Sequence, residues 1–145
     1  MRLDRVSEIM TKDVIHTINS TASVQEAASE MKKVGRGCLV VLDKSKLSGI
    51  VTERDIVQRV VAAERDPKKV KVSEVMSKPV ITVGPEALVS DAAKIMVQNK
   101  IRRLVVTEGT RLVGIVTVTD FAKKMHKESA SDPMLAAMAR LSDLR

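Results

Sequence analysis

Apolar positions along this chain follow two periods in alternation. Val14-Ile15-His16-Thr17-Ile18 is short and β-branched, which predicts a strand. Ser20 or Thr21 then offers an N-cap. Val24, Ala27, Ala28 and Met31 fall at i, i+3, i+4 and i+7, one face of a helix. Gly35 and Gly37 end that helix. Leu39-Val40-Val41-Leu42 reads as a buried strand, the polar stretch from Asp43 to Ser48 as a hairpin turn, and Gly49-Ile50-Val51 as the return strand. Ile56, Val57, Val60 and Val61 mark a second helix. The predicted order is β-α-β-β-α.

The pattern then repeats. Val6-Ser7-Glu8-Ile9-Met10-Thr11-Lys12 returns as Val72-Ser73-Glu74-Val75-Met76-Ser77-Lys78. Leu39-Val40-Val41 returns as Leu104-Val105-Val106, and Gly49-Ile50-Val51-Thr52 as Gly114-Ile115-Val116-Thr117. The chain is a tandem duplication: residues 1–65, residues 66–127, and a tail, 128–145. Asp66-Pro67-Lys68-Lys69 links the copies. Gly84-Pro85 is expected to start the second copy's first helix, with proline at the first helical position. One copy of ~60 residues buries too little surface to stand comfortably alone. The expected fold is therefore α/β (α+β), two β-α-β-β-α repeats packed sheet to sheet about a pseudo-two-fold axis.

Composition narrows the function. Of 145 residues, 44% are hydrophobic and 30% charged, which fits a folded, soluble chain. No apolar run approaches the ~18 residues that cross a bilayer, and no signal-type segment follows Met1, so no membrane role and a cytoplasmic location are expected. Cys38 stands alone and only His16 and His126 accompany it, so no Cys/His zinc motif can be written. Cys38, before an apolar strand, reads as a small core residue. Phe121 is the only aromatic, which argues against base stacking. Lys plus Arg (25) exceeds Asp plus Glu (18) by 7, a balance that favours anionic partners. No nucleophile constellation or acid/base pair appears, so no enzyme is expected.

The heptapeptide Gly-hydrophobic-hydrophobic-Thr-x-x-Asp stands twice, as Gly49 to Asp55 and as Gly114 to Asp120. Each copy lies behind a Met-(Ser/Thr)-Lys opening. With the duplication, this resembles a pair of CBS (cystathionine β-synthase) domains, a Bateman module, over about residues 6 to 125. The resemblance implies a stand-alone sensor that binds an adenine nucleotide or S-adenosylmethionine as a regulatory ligand and acts on an unknown partner protein. It also implies two clefts, each mixing both repeats. One would use Ile50, Thr52, Arg54 and Asp55 with Pro79, Val80, Ile81, Ile101 and Arg102. The other would use Ile115, Thr117, Thr119 and Asp120 with Asp13, Val14, Ile15, Arg36 and Gly37. Arg102 or Arg103 would meet phosphate.

The chemistry of the signature suits that role. A carboxylate one turn into a helix can accept two hydrogen bonds from a ribose diol. A glycine lets a backbone pass close to a ligand. Yet Thr-x-x-Asp ahead of an apolar run is also a capping box, and both readings stand at this point. The basic surface, including Lys68, Lys69 and Lys123 to Lys127, leaves nucleic-acid or ribosome association as an alternative, and a scaffold with empty clefts as another. Met134, Met138 and Leu141 suggest a short amphipathic tail helix. The wide apolar helix stripes suggest a homodimer.

Overall fold

Thr17–Asn19 (β1) runs parallel to Cys38–Asp43 (β2), which pairs antiparallel with Lys46–Thr52 (β3). Between β1 and β2 lies the helix Val24–Val34 (α1), and after β3 come Glu53–Ile56 (α2) and a π-wound stretch, Val57–Val61. Val72–Val75 (α3) opens the second repeat. Thr82–Val83 (β4), Val89–Asn99 (α4), Arg103–Glu108 (β5), Arg111–Thr117 (β6) and Val118–Lys127 (α5) repeat the order. β4 is parallel to β5, and β5 is antiparallel to β6. The computed structural model describes residues 4–11 and 15–127, with 125–127 as backbone only. The expected tail helix from Met134 lies outside the described residues.

Two compact units emerge, and their borders are not those of the repeats. The continuous unit takes its described residues from Val14–Val80, the split unit from Met1–Asp13 and Ile81–Arg145. The opening segment of each repeat thus folds with the other repeat. The reason is burial. Val70, Val72, Val75 and Met76 complete the core that Val24, Ala27, Met31, Leu39, Val41, Val51 and Val60 begin. Val6 enters the core of Val89, Ala92, Ala93, Met96, Leu104, Val106, Val116, Val118 and Phe121. Burying one such valine fully stabilises the fold by about 1.5–3 kcal/mol.

Several local expectations shift. β1 starts at Thr17, after the expected Ile15-His16, although the His16 carbonyl accepts from Val40 N–H at 3.0 Å. The N-cap of α1 is Ser23, whose Oγ accepts from Glu26 N–H at 3.1 Å while the Glu26 carboxylate accepts from Ser23 N–H at 3.2 Å. Ser20 and Thr21 lie in the preceding turn, where Asn19 Oδ1 accepts from Thr21 N–H and Oγ1–H. The hairpin between β2 and β3 turns on Lys44 and Ser45 alone, both at positive φ, so Lys46 and Ser48 belong to the strand. Pro85 does not start α4, which begins at Val89. The Pro85 and Ala87 carbonyls accept from Ser7 and Val6 N–H at 3.0 and 2.9 Å, and these bonds hold the stretch out of the helix.

Candidate functional site

Each signature strand is stitched to the opening segment that folds onto it. Ile50 and Ser77 exchange backbone hydrogen bonds of 3.1 and 2.8 Å. Ile115 and Thr11 do the same at 3.2 and 2.8 Å. This pairing explains the glycine that begins each signature. A Cβ on Gly49 would stand 2.6 Å from Met76 Sδ and 3.0 Å from the Ser77 carbonyl oxygen. One on Gly114 would stand 2.5 Å from Met10 Sδ and 3.1 Å from the Thr11 carbonyl oxygen. A close approach that requires glycine is thus made at both positions by the chain's own methionine and carbonyl oxygen.

The strand then ends in the Thr-x-x-Asp turn, and both turns are capping boxes. Thr52 Oγ1 accepts from Asp55 N–H at 3.2 Å, and Asp55 Oδ2 accepts from Thr52 N–H and Oγ1–H at 3.0 and 3.1 Å. In the split unit Thr117 Oγ1 accepts from Asp120 N–H at 3.4 Å, and Asp120 Oδ2 accepts from Thr117 N–H and Oγ1–H at 2.8 and 3.1 Å. What remains for a ligand is the second carboxylate oxygen. Asp55 is only 7% exposed, and its Oδ1 accepts from Ser77 Oγ–H at 3.0 Å with Arg59 Nη1 at 3.9 Å. Asp120 is half-buried, and among the described residues no hydrogen bond reaches its Oδ1.

The other expected residues divide between the units. The continuous unit holds Ile15, Arg36, Gly37, Ile50, Thr52, Arg54, Asp55, Pro79 and Val80. The Gly37 carbonyl accepts from Glu53 N–H at 3.0 Å, and Arg36 and Arg54 are exposed. The split unit holds Ile81, Ile101, Arg102, Arg103, Ile115, Thr117, Thr119 and Asp120. There the Arg102 carbonyl accepts from Val118 N–H at 3.0 Å, and Arg103 pairs with Thr117 across β5 and β6. Both arginines therefore flank the Thr117–Asp120 turn, while Ile81 and Ile101 pack against the core. Asp13 and Val14 lie outside the described residues. Cys38 is half-buried, not a fully buried core residue, because it opens β2 opposite Thr52.

Arg59 and Ser77 were not among the expected site residues. Arg59 Nη1 donates to the carbonyls of Val75 and Met76 at 2.8 and 3.2 Å. Its place in the duplication, opposite Lys124, is visible in the sequence; its reach onto the other repeat's opening segment is not. Beside this turn a groove of about 600 Å³ runs between the end of α1 and α2, lined by Met31, Lys32, Arg36, Glu53, Ile56 and Val57 among others. Val57 and Val61 are 57% and 66% exposed. Among the described residues no group of three His, Cys, Asp or Glu could hold a metal ion, and no helix is long and apolar enough to cross a membrane.

Comparison with known proteins agrees with this architecture. A profile of the CBS domain matches residues 6–62 and 72–127. The CBS domain-containing protein YhcV of Bacillus subtilis is 38% identical over 133 residues, which cover 91% of this chain and 94% of YhcV. A putative signal-transduction protein with CBS domains from Burkholderia ambifaria superposes with a TM-score of 0.79 at 29% identity, covering 90% of this chain and 99% of that one. A hexameric CBS-CP12 protein from bloom-forming cyanobacteria superposes with a TM-score of 0.77 at 36% identity, covering 88% of this chain and 77% of that one. With two matched domains across most of its length, each built around one Thr-x-x-Asp turn, the chain belongs to the CBS domain family as a tandem pair.

Proposed function

We propose that this CBS pair is a regulatory module that binds an adenosyl ligand, either an adenine nucleotide or S-adenosylmethionine, and acts on a partner protein without catalysing a reaction. The observation that carries the reading is the stitching of each signature strand to an opening segment. It sets a capped threonine and an aspartate carboxylate at the end of a strand paired with Ser77 in one unit and with Thr11 in the other. A carboxylate with an unused oxygen accepts from a ribose hydroxyl. Arg102 and Arg103, next to Thr117, supply charge for phosphate. Isothermal calorimetry with AMP, ADP, ATP, S-adenosylmethionine and NADH tests the reading. At least one should bind at or below millimolar concentration, and silence across the panel would end it.

The same module is proposed to work as a homodimer. Val60 is fully buried, but Val57 and Val61 on the same helix are largely exposed, a stripe suited to a two-fold contact. Light scattering should give a mass near twice 15.9 kDa. A larger assembly, such as the hexamer named for the cyanobacterial CBS-CP12 protein, would replace the dimer, and a monomer would show the stripe covered from within.

A further inference from the structure

Asp55 and Asp120 occupy matching positions, yet their surroundings assign them different work. The Ser77 hydroxyl takes Asp55 Oδ1, and Arg59 stands 3.9 Å from the same oxygen while its Nη1 donates to the Val75 and Met76 carbonyls. The carboxylate, the hydroxyl and the guanidinium together fasten Val75 to Ser77 onto the signature turn. The helix is reshaped where Arg59 sits. Ala62 N–H donates to the Val57 carbonyl and Arg65 N–H to that of Val60, five residues back, whereas α5 is α-helical from Val118 to Lys127. π-wound turns of this kind concentrate at functional sites.

The matching positions in the split unit are Thr11 and Lys124. Thr11 is exposed, and among the described residues its hydroxyl makes no hydrogen bond to Asp120. Lys124 forms an ion pair with Asp4, whose counterpart in the other repeat is Val70, so this pairing has no equivalent in the continuous unit. We infer that Ser77 and Arg59 are positioning residues that hold Asp55 as a latch, so that a ribose diol is taken at Asp120 and reaches Asp55 only when the latch opens. The ligand half of this inference rests on the adenosyl reading above; the latch half does not. Both oxygens of Asp55 are already acceptors and the residue is only 7% exposed, so a diol that binds there competes with the serine hydroxyl for Oδ1. Displacement also loosens the segment that Asp55 fastens, so ligand in this turn and the position of that segment are coupled.

Two measurements on the full chain test the inference. The first is amide hydrogen exchange at Ser77 and Ile50, read by NMR. Ser77→Ala and Arg59→Gln should speed exchange at both amides by up to about tenfold. Ser77→Thr, which keeps the hydroxyl, should not, and Thr11→Ala should leave Thr11 and Ile115 unchanged. The second is calorimetry with AMP. Wild type should take one AMP per chain, Asp120→Asn should lose it, and Ser77→Ala should add a second. Unchanged exchange in Ser77→Ala overturns the latch. Two equal AMP sites in wild type, or AMP lost in Asp55→Asn and kept in Asp120→Asn, overturns the assignment of the diol. If no variant binds AMP while another adenosyl ligand binds wild type, that ligand replaces AMP. If none binds, the adenosyl reading falls and exchange alone decides the latch.

Discussion

The Asp55 turn and the Asp120 turn share their backbone hydrogen bonds to within a few tenths of an ångström, but a serine hydroxyl lies 3.0 Å from the remaining oxygen of the first, and among the described residues none reaches that of the second. The same contrast runs through the duplicated scaffold. α1 ends on Gly35 at φ +69°, donating its N–H to the Met31 carbonyl, while α4 ends on Lys100 at φ +53°. The β2–β3 hairpin turns on Lys44-Ser45, the β5–β6 hairpin on Gly109 at positive φ. Duplication preserves what the main chain needs at each position. It leaves the side chains at the same positions to diverge between holding the fold and meeting a ligand.

The strongest way to test the shared part is at the crossing glycines. Gly49→Ala and Gly114→Ala should each destabilise the chain by about 1–3 kcal/mol in denaturant unfolding, because the methyl meets a methionine and a carbonyl oxygen. A loss at only one of them would mean that the two crossings are not built alike. The aspartates should separate the units. Asp55→Ala leaves Ser77 and Thr52 without their acceptor and should cost about 1–3 kcal/mol. Asp120→Ala leaves only Thr117 without its acceptor and should cost about 1 kcal/mol. Equal costs would erase the distinction between the turns.

Much of the scaffold was legible because it is periodic and repeated. Met31 and Met96 mark one helix face, Val41 and Val106 one strand core, and the Thr-x-x-Asp spacing is a cap as well as a site. What escaped depends on the exchange of opening segments. Nothing local in Val72 to Ser77 shows that these residues complete the first repeat's core, so Ser77 could not be matched with Asp55. Pro85 looked like a helix start because its carbonyl's distant partner, Ser7, is not visible in the local pattern. The π-wound turn at Val57–Val61 carries no local marker, and Arg59 was hidden within it.

Smaller effects sharpen the comparison at the helix ends. Gly35 has open space around its missing Cβ, so its value lies in the left-handed backbone alone. Lys100→Gly should therefore raise stability by about 1 kcal/mol, and Gly35→Ala should lower it by a similar amount. Smallest is an acid-side effect near the continuous unit's opening segment. The Lys71 backbone N–H, at 2.7 Å, and the Arg65 guanidinium, at 2.8 Å, hold the Glu74 carboxyl below its ordinary range. A depressed carboxyl contributes its stability above the unfolded-state value and loses it as pH falls through the folded one. Glu74→Gln should flatten that part of the stability–pH curve, and an unchanged slope would remove Glu74 from the account.

The most direct test of the whole account watches both carboxylates at once. With ¹³C-labelled aspartate, the side-chain carbonyl resonances of Asp55 and Asp120 can be followed through an AMP titration. Asp120 should shift along a saturating curve while Asp55 stays in place until Ser77→Ala frees it. Movement of Asp55 in the wild-type chain with Asp120 stationary would contradict the account.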